Sequence, residues 1–202
     1  MPGPWRQSVY DVSEHRRWIL LRSDRNLCQR AGCYDLAAAI QLFVEYRENT
    51  YRIAFAPANS VAFTGWCYYD FNPAFFGVTN AGANFDYPDV SLSSNYVWYQ
   101  TRIFSTGGFV GTLIFRIHIT EAVACQNTSV DWVITDSAHF TVSLAKGAAS
   151  TMYFFVHNST SSERVYTWAE GTLSYTWNDF NVSSWTDNAR QCAWPINTGG
   201  MA

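Results

Sequence analysis

Charged side chains are scarce in this chain of 202 residues. They make up 14% of the sequence, whereas aromatic residues make up 17%. About a quarter of the residues in an ordinary globular domain are charged, so too few charges are present here to cover a free surface. We therefore expect part of the surface to contact another subunit. The net charge of −3 gives no overall attraction to nucleic acid.

Catalytic motifs and membrane signals are also missing. The chain has no GxSxG elbow, HExxH helix, glycine-rich phosphate loop or Rossmann fingerprint, and its single lysine removes most Schiff-base options. No apolar run approaches the ~20 residues of a membrane span, and the start contains no signal-peptide hydrophobic segment. We expect a protein that is not an enzyme and does not contact a membrane. An enzyme with paired carboxylates stays open, with candidates Glu45, Glu48, Asp131 and Asp136.

Cysteine is present in an odd number, which argues against a complete extracellular disulfide framework. The five cysteines are irregularly spaced, at Cys28, Cys33, Cys67, Cys125 and Cys192, and no spacing suggests zinc. We expect mostly free, buried thiols, although Cys28 and Cys33 are close enough for a local disulfide. Three N-x-S/T sequons begin at Asn127, Asn158 and Asn181. About two sequons are expected by chance in this composition, so their number carries almost no weight.

A helix followed by a β-hairpin is predicted for residues 34–72. Asp35 is a helix-capping residue, and the helical spacing that ends near Tyr46 is carried by Leu36, Ile40, Phe43 and Val44. From Thr50 the period changes to two, which predicts a strand that ends at Pro57. The next run, 61–69, is bulky on both faces, so we expect a strand covered on both sides or an interface.

Alternating segments bounded by glycine, serine or asparagine recur through the rest of the chain. About eight strands and one short helix before the third strand-like segment predict an all-β fold, an eight-stranded antiparallel jelly-roll sandwich. We divide the chain into a mildly basic N-terminal arm with the first strand at 1–30, a jelly-roll domain at 31–182 and a C-terminal arm at 183–202.

Arginine is concentrated at the start of the chain. Six of the twelve arginines lie before residue 31, at Arg6, Arg16, Arg17, Arg22, Arg25 and Arg30. Such side chains neutralise phosphates without reading sequence, so they are candidate RNA contacts. A solvent-facing edge strand accounts for them equally well.

Aromatic residues in a long connection and in the tail are candidate subunit contacts. The segment 73–89 is longer than most connections in a compact domain, and exposed rings there would be unfavourable unless a neighbour covers them. The predicted interface residues are Phe75, Phe76, Phe85 and Tyr87, together with Trp185 and Trp194 of the tail.

The order of elements resembles the shell domain of small icosahedral RNA-virus capsid proteins, of the tombusvirus, sobemovirus and nodavirus kind. The stretch LFVEYRENTYRIAFAP is similar to that family's helix and the alternating strand that follows it. TGWCYYDFN is similar to its aspartate-bearing turn, and GTLSYTW is similar to its last strand. The resemblance covers roughly residues 15–182. Two departures are a basic arm reduced to scattered arginines and a calcium-binding Asp-x-Asp that is Asp70-Phe71-Asn72 here.

This resemblance implies a coat protein that assembles with copies of itself into an icosahedral shell around genomic RNA, and hence a virion location. Asp70 and Asn72 would then supply oxygen ligands for Ca²⁺ at a subunit boundary. A plain Asx turn that closes the strand is the alternative reading of these two residues.

A second class of function is a secreted β-sandwich glycoprotein or carbohydrate-binding module. In that case the sequons would be occupied. Tryptophan rings would provide the stacking surfaces, with candidates Trp66, Trp98, Trp168 and Trp177.

Overall fold

The computed structural model describes the backbone of residues 6–11, 17–22, 40–47, 49–57, 66–140 and 142–186. Side chains are described within 49–56, 66–140 and 142–186. These residues form mostly antiparallel β-structure with one short α-helix, α1 (Ile119–Val123), and a 3₁₀-helix at Pro73–Phe76. No helix within this part of the chain has the length and apolar character that a membrane crossing requires.

Within the described residues, thirteen strands form three sheets, which we call A, B and C. Sheet A contains β1 (Arg6–Asp11), β2 (Arg17–Arg22), β3 (Ile40–Arg47), β4 (Thr50–Pro57) and β5 (Cys67–Phe71). Sheet B contains β6 (Asn84–Leu92), β7 (Tyr96–Ser105), β8 (Gly108–His118) and β9 (Val130–Ile134). Sheet C contains β10 (Ser143–Leu144), β11 (Thr151–Ser159), β12 (Ser162–Ala169) and β13 (Thr176–Asn181).

Sheet B is the middle layer of a three-layer sandwich. Successive side chains of a strand point to opposite faces, and β7 uses both of its faces for burial. Val97 and Tyr99 pack against sheet A in one hydrophobic core, whereas Trp98 packs against sheet C in a second core. Two cores within one chain explain much of the high aromatic content without any partner subunit.

Residues 40–47 form strand β3, so the predicted helix is wrong there. Apolar residues at helical spacing also satisfy a period of two, because Ile40, Leu42 and Val44 alternate with the neighbouring residues. Antiparallel pairing with β4 places Leu42 opposite Phe55 and Val44 opposite Ile53. This long-range pairing outweighs the local helical pattern. The part of the predicted helix before residue 40 lies outside the described residues.

The strand order is sequential within each sheet. Every described strand pairs only with strands next to it in sequence, whereas a jelly roll brings distant strands side by side. The strand number also exceeds the predicted eight, partly because the segment predicted as a long loop contains most of β6 and a 3₁₀-helix. Sheet A includes β1 and β2, and it therefore extends across the predicted boundary at residue 30.

Candidate interaction surface

The outer face of sheet C, turned away from sheet B, carries exposed aromatic side chains. On β11, Phe154 and Val156 enter the second core, so alternation turns Tyr153 and Phe155 outward. These two rings are 48% and 45% exposed. Phe155 lies opposite the half-buried Val165 of β12, and the next strand adds Phe180, which is 52% exposed. We call Tyr153, Phe155, Val165 and Phe180 the outer aromatic face.

Strand β13 forms one edge of sheet C. It pairs with β12 along all six of its residues, and no described strand pairs with its other side. All six side chains are exposed. Native edge strands usually carry lysine, proline or a bulge that blocks further pairing, and TWNDFN contains neither lysine nor proline. The strand therefore offers unpaired backbone groups beside the outer aromatic face.

One histidine–carboxylate pair borders the outer aromatic face. Nδ1 of His157 contacts Oε1 of Glu163, and the imidazole ring packs edge-on against Trp185 with ring centroids 4.9 Å apart. The backbone N–H of Trp185 donates to the carbonyl oxygen of Thr160 at 3.0 Å. The segment after β13 therefore folds back onto the turn between β11 and β12 and borders the apolar area.

The inner face of sheet C is held to sheet B by a buried arginine. Arg116 of β8 is 1% exposed, and its Nε donates to Oδ2 of Asp131 at 2.8 Å. Its other nitrogens donate to the carbonyl oxygens of Ala169 at 3.1 Å and Thr172 at 2.6 Å. The guanidinium also lies within 4.5–5.3 Å of the ring centroids of Tyr96, Trp98 and Trp168. These contacts satisfy the charge of Arg116 and attach sheet C to sheet B.

Polar side chains lie at one end of the interface between sheets B and C. His139 is buried, and its Nδ1 lies 2.7 Å from Oδ1 of Asp136, while Nε2 lies 3.4 Å from Oδ1 of Asn158. Burial alone would raise the pKa of Asp136, but hydrogen bonds from His139 and the Ala138 N–H hold it below its ordinary value. Because Asp136 is held by these groups, it is a structural turn residue in this geometry.

A second polar pair lies close by on β12 and β13. Arg164 donates two hydrogen bonds to Asp179, with Nε–Oδ1 at 2.6 Å and a second contact at 2.8 Å. These bonds hold the pKa of Asp179 below its ordinary value. The pair neutralises the only acidic side chain of β13, which leaves the edge strand without net charge.

The predicted interface residues separate into two groups. Phe76 and Phe85 are each 1% exposed, because the chain from 73 to 92 turns back into the core between sheets A and B. The prediction that these two contact another subunit is therefore wrong. Phe75, Tyr87 and Trp185 are exposed, at 54%, 64% and 37%. Trp194 lies outside the described residues.

The predicted calcium ligands are both engaged by protein groups. Asp70 accepts two hydrogen bonds of 2.7 Å from Arg52, and these bonds lower its pKa. Oδ1 of Asn72 accepts the backbone N–H of Phe75 at 2.9 Å and caps the 3₁₀-helix. Across the described residues, no group of three or more His, Cys, Asp or Glu side chains could hold a metal ion.

Among the predicted RNA contacts, the described backbone brings Arg6 and Arg22 together. The backbone of Arg6, Arg17 and Arg22 lies in β1 and β2, where Arg6 pairs opposite Arg22. Their side chains, and the whole of Arg16, Arg25 and Arg30, lie outside the described residues.

The remaining candidates from sequence differ in exposure. Trp98 and Trp168 are buried at 0% and 1%, so they cannot act as stacking surfaces, whereas Trp177 is 52% exposed. Of the candidate carboxylates, Asp131 binds the buried Arg116 and Asp136 binds His139. Glu45 and Glu48 lie outside the described side chains.

Cys67 and Cys125 form a disulfide that the sequence did not indicate, with Cα atoms 5.3 Å apart. The expectation of free thiols is wrong for these two residues. Fifty-eight residues separate them, and only the contact between sheet A and the chain after α1 makes them neighbours. The outer aromatic face was also not predicted from sequence. The strand TMYFFVHNS has aromatic residues at alternate and at adjacent positions, which indicates aromatic side chains on both faces of the strand.

No protein family model, curated protein or solved structure matches this chain.

Proposed function

We propose that the protein is a structural subunit that associates with further copies of itself through the outer aromatic face and the β13 edge. The observation that carries this proposal is the outer aromatic face itself, where Tyr153, Phe155 and Phe180 are each about half exposed on one face of one sheet. Contiguous exposed apolar patches mark interaction sites in soluble proteins. Aromatic side chains are also the residues most enriched in subunit interfaces.

The specific form that we propose is the coat protein of an RNA virus, assembled into an icosahedral shell in the virion. The family resemblance and the low charge content support it. The RNA contact rests on the six arginines before residue 31, and the jelly-roll arrangement rests on the resemblance alone, since the described strands pair in sequential order. We do not include a calcium site in this proposal, because Asp70 and Asn72 bind other protein groups.

Light scattering coupled to size-exclusion chromatography tests self-association. The full chain, measured over a wide concentration range with and without RNA, is expected to form particles far larger than its 22.9 kDa. The ratio of absorbance at 260 and 280 nm then reports packaged nucleic acid, and electron microscopy reports a closed shell. A strictly monomeric protein under all these conditions contradicts the proposal. Large particles free of nucleic acid would support association and contradict the RNA component.

Replacing Phe155 by serine tests which surface is used. Fully burying a phenylalanine contributes about 1.5–3 kcal/mol, so its exposed 45% accounts for about 1 kcal/mol per copy. In a two-fold interface both copies lose this contribution, about 2 kcal/mol in total, which weakens dimerisation ~30-fold. Tyr68→Ser is the matched control, because Tyr68 is 60% exposed on sheet A. Unchanged association of Phe155→Ser would rule out the outer aromatic face as the interface.

A second candidate is a secreted β-sandwich glycoprotein that binds carbohydrate, and the Cys67–Cys125 disulfide favours it. Disulfides persist in oxidising compartments and are rare in the cytosol. Of the four tryptophans considered as stacking surfaces, Trp177 is the one with an exposed ring. Titration of intrinsic fluorescence with oligosaccharides tests this function: Trp177→Ala should abolish binding, whereas Trp132→Ala, also on an exposed ring, should not.

A further inference from the structure

A short exposed loop follows helix α1 and is held firmly from several sides. All four of residues 124–127 are exposed. The disulfide from Cys125 to Cys67 and a 2.7 Å hydrogen bond from the Tyr69 hydroxyl to the Gln126 carbonyl oxygen attach the loop to β5. Glu121 then accepts hydrogen bonds from the Thr128 hydroxyl at 3.0 Å and from the next backbone N–H at 3.3 Å.

The side chain of Asn127 takes no part in the contacts that hold this loop. Its amide makes no hydrogen bond to any described residue, although residues on both sides of it are fixed. It begins the sequon Asn127-Thr128-Ser129. Sequons are modified where they lie in surface loops of proteins that enter the secretory route. The disulfide that joins Cys125, two residues earlier, to the buried Cys67 is independent evidence for passage through an oxidising compartment.

We propose that Asn127 is an N-glycosylation site. In the transfer, the Asn127 amide nitrogen forms a bond to the anomeric carbon of a lipid-pyrophosphate-linked oligosaccharide. The bond between that carbon and the pyrophosphate oxygen breaks, and the lipid pyrophosphate leaves with its electron pair. The amide nitrogen gives up one proton to the transferase. The glycan replaces one amide hydrogen, and no described contact of the protein is lost.

The other two sequons lie in strands at one end of sheet C. Oδ1 of Asn158 contacts Nε2 of His139, and Asn158 lies where the pairing of β11 and β12 shifts register. Asn181 ends β13, opposite Ser162. The Asn127 loop is attached to sheet A, on the far side of sheet B, so a glycan there leaves the proposed assembly surface uncovered.

Site mapping by mass spectrometry tests the proposal on the full chain secreted from eukaryotic cells. Digestion with peptide-N-glycosidase in heavy-oxygen water converts a glycosylated asparagine into labelled aspartate. We expect the label at Asn127, in protein whose Cys67 and Cys125 peptides are disulfide-linked. Asn127→Gln and Ser129→Ala should each remove the same single glycan mass, because both destroy the sequon. Asn158→Gln, the matched control, should leave the label at Asn127 unchanged.

An unlabelled Asn127 peptide in disulfide-linked, secreted protein would overturn the proposal. Free thiols at Cys67 and Cys125 with an unmodified Asn127 would overturn it as well. Neither result depends on self-association, which light scattering measures separately on the enzymatically deglycosylated protein.

Discussion

Replacing Asp131 by asparagine would leave the guanidinium of Arg116 buried without its anionic partner. Arg116 is 1% exposed, whereas the side chain of Asp131 is 25% exposed. Breaking a fully buried ion pair from one side destabilises a protein by about 3–5 kcal/mol. Here two carbonyl oxygens still accept hydrogen bonds from the guanidinium, and solvent reaches the position of Asp131. We therefore expect Asp131→Asn to lower the free energy of unfolding by about 2–3 kcal/mol.

Arg116→Met provides the second arm of a double-mutant cycle. Methionine retains apolar contact with Trp98 and Trp168 and removes the buried charge, so the loss is limited to hydrogen bonds, about 2 kcal/mol. Once Arg116 is absent, Asp131→Asn should have little further effect. The double variant should therefore be more stable than the sum of the single losses predicts, by about 2–3 kcal/mol.

Urea unfolding followed by tryptophan fluorescence measures all four proteins of the cycle. Asp70→Asn is the control for loss of an ion pair at the surface, because the Arg52 and Asp70 side chains are 42% and 40% exposed. Exposed pairs contribute about 0–1 kcal/mol, so this variant should be close to the unmodified protein. If the Asp131 and Arg116 effects add within about 0.5 kcal/mol, the coupling between the two side chains is absent and the reasoning is refuted.

Three further predictions concern stability. Gly111→Ala places a Cβ against the backbone carbonyl oxygen of Thr135 and should lower the free energy of unfolding by about 1–3 kcal/mol. Gly171→Ala, with open space around it, should leave thermal unfolding unchanged. Cys67 and Cys125 are 58 residues apart, so reduction of their disulfide should lower the free energy of unfolding by about 4 kcal/mol, because the unfolded chain gains conformational entropy. An unchanged urea midpoint after reduction would show that the disulfide does not stabilise the fold. Hydrogen bonds from Arg52 lower the pKa of Asp70 from its ordinary 3.8, so the contribution of this carboxylate to the free energy of unfolding is present above pH ~4 and is lost as the pH falls further. Asp70→Asn should therefore make the free energy of unfolding less dependent on pH below ~4.

The strand character of the chain could be predicted from sequence, because alternation is a local property. GTLIFRIHI gives β8, whose residues Leu113, Phe115 and Ile117 line the core with sheet A. The same rule did not distinguish helix from strand at 40–47, where both periods fit and the pairing with β4 decides. In the 3₁₀-helix the exposure of aromatic residues could not be predicted from sequence either, since nothing local separates the buried Phe76 from the exposed Phe75 beside it.

The sequence by itself determined that this protein would bury extensive aromatic surface in β-structure, because residue types and their alternation along the chain are local properties. Only the tertiary structure decided how that surface is divided. The stacking of three sheets placed Trp98 and Trp168 inside and turned Tyr153 and Phe155 outward. It also joined Cys67 to Cys125 and Arg116 to residues after β12, contacts between positions that are distant in sequence. Such contacts depend on how whole sheets pack, and no local pattern encodes that packing.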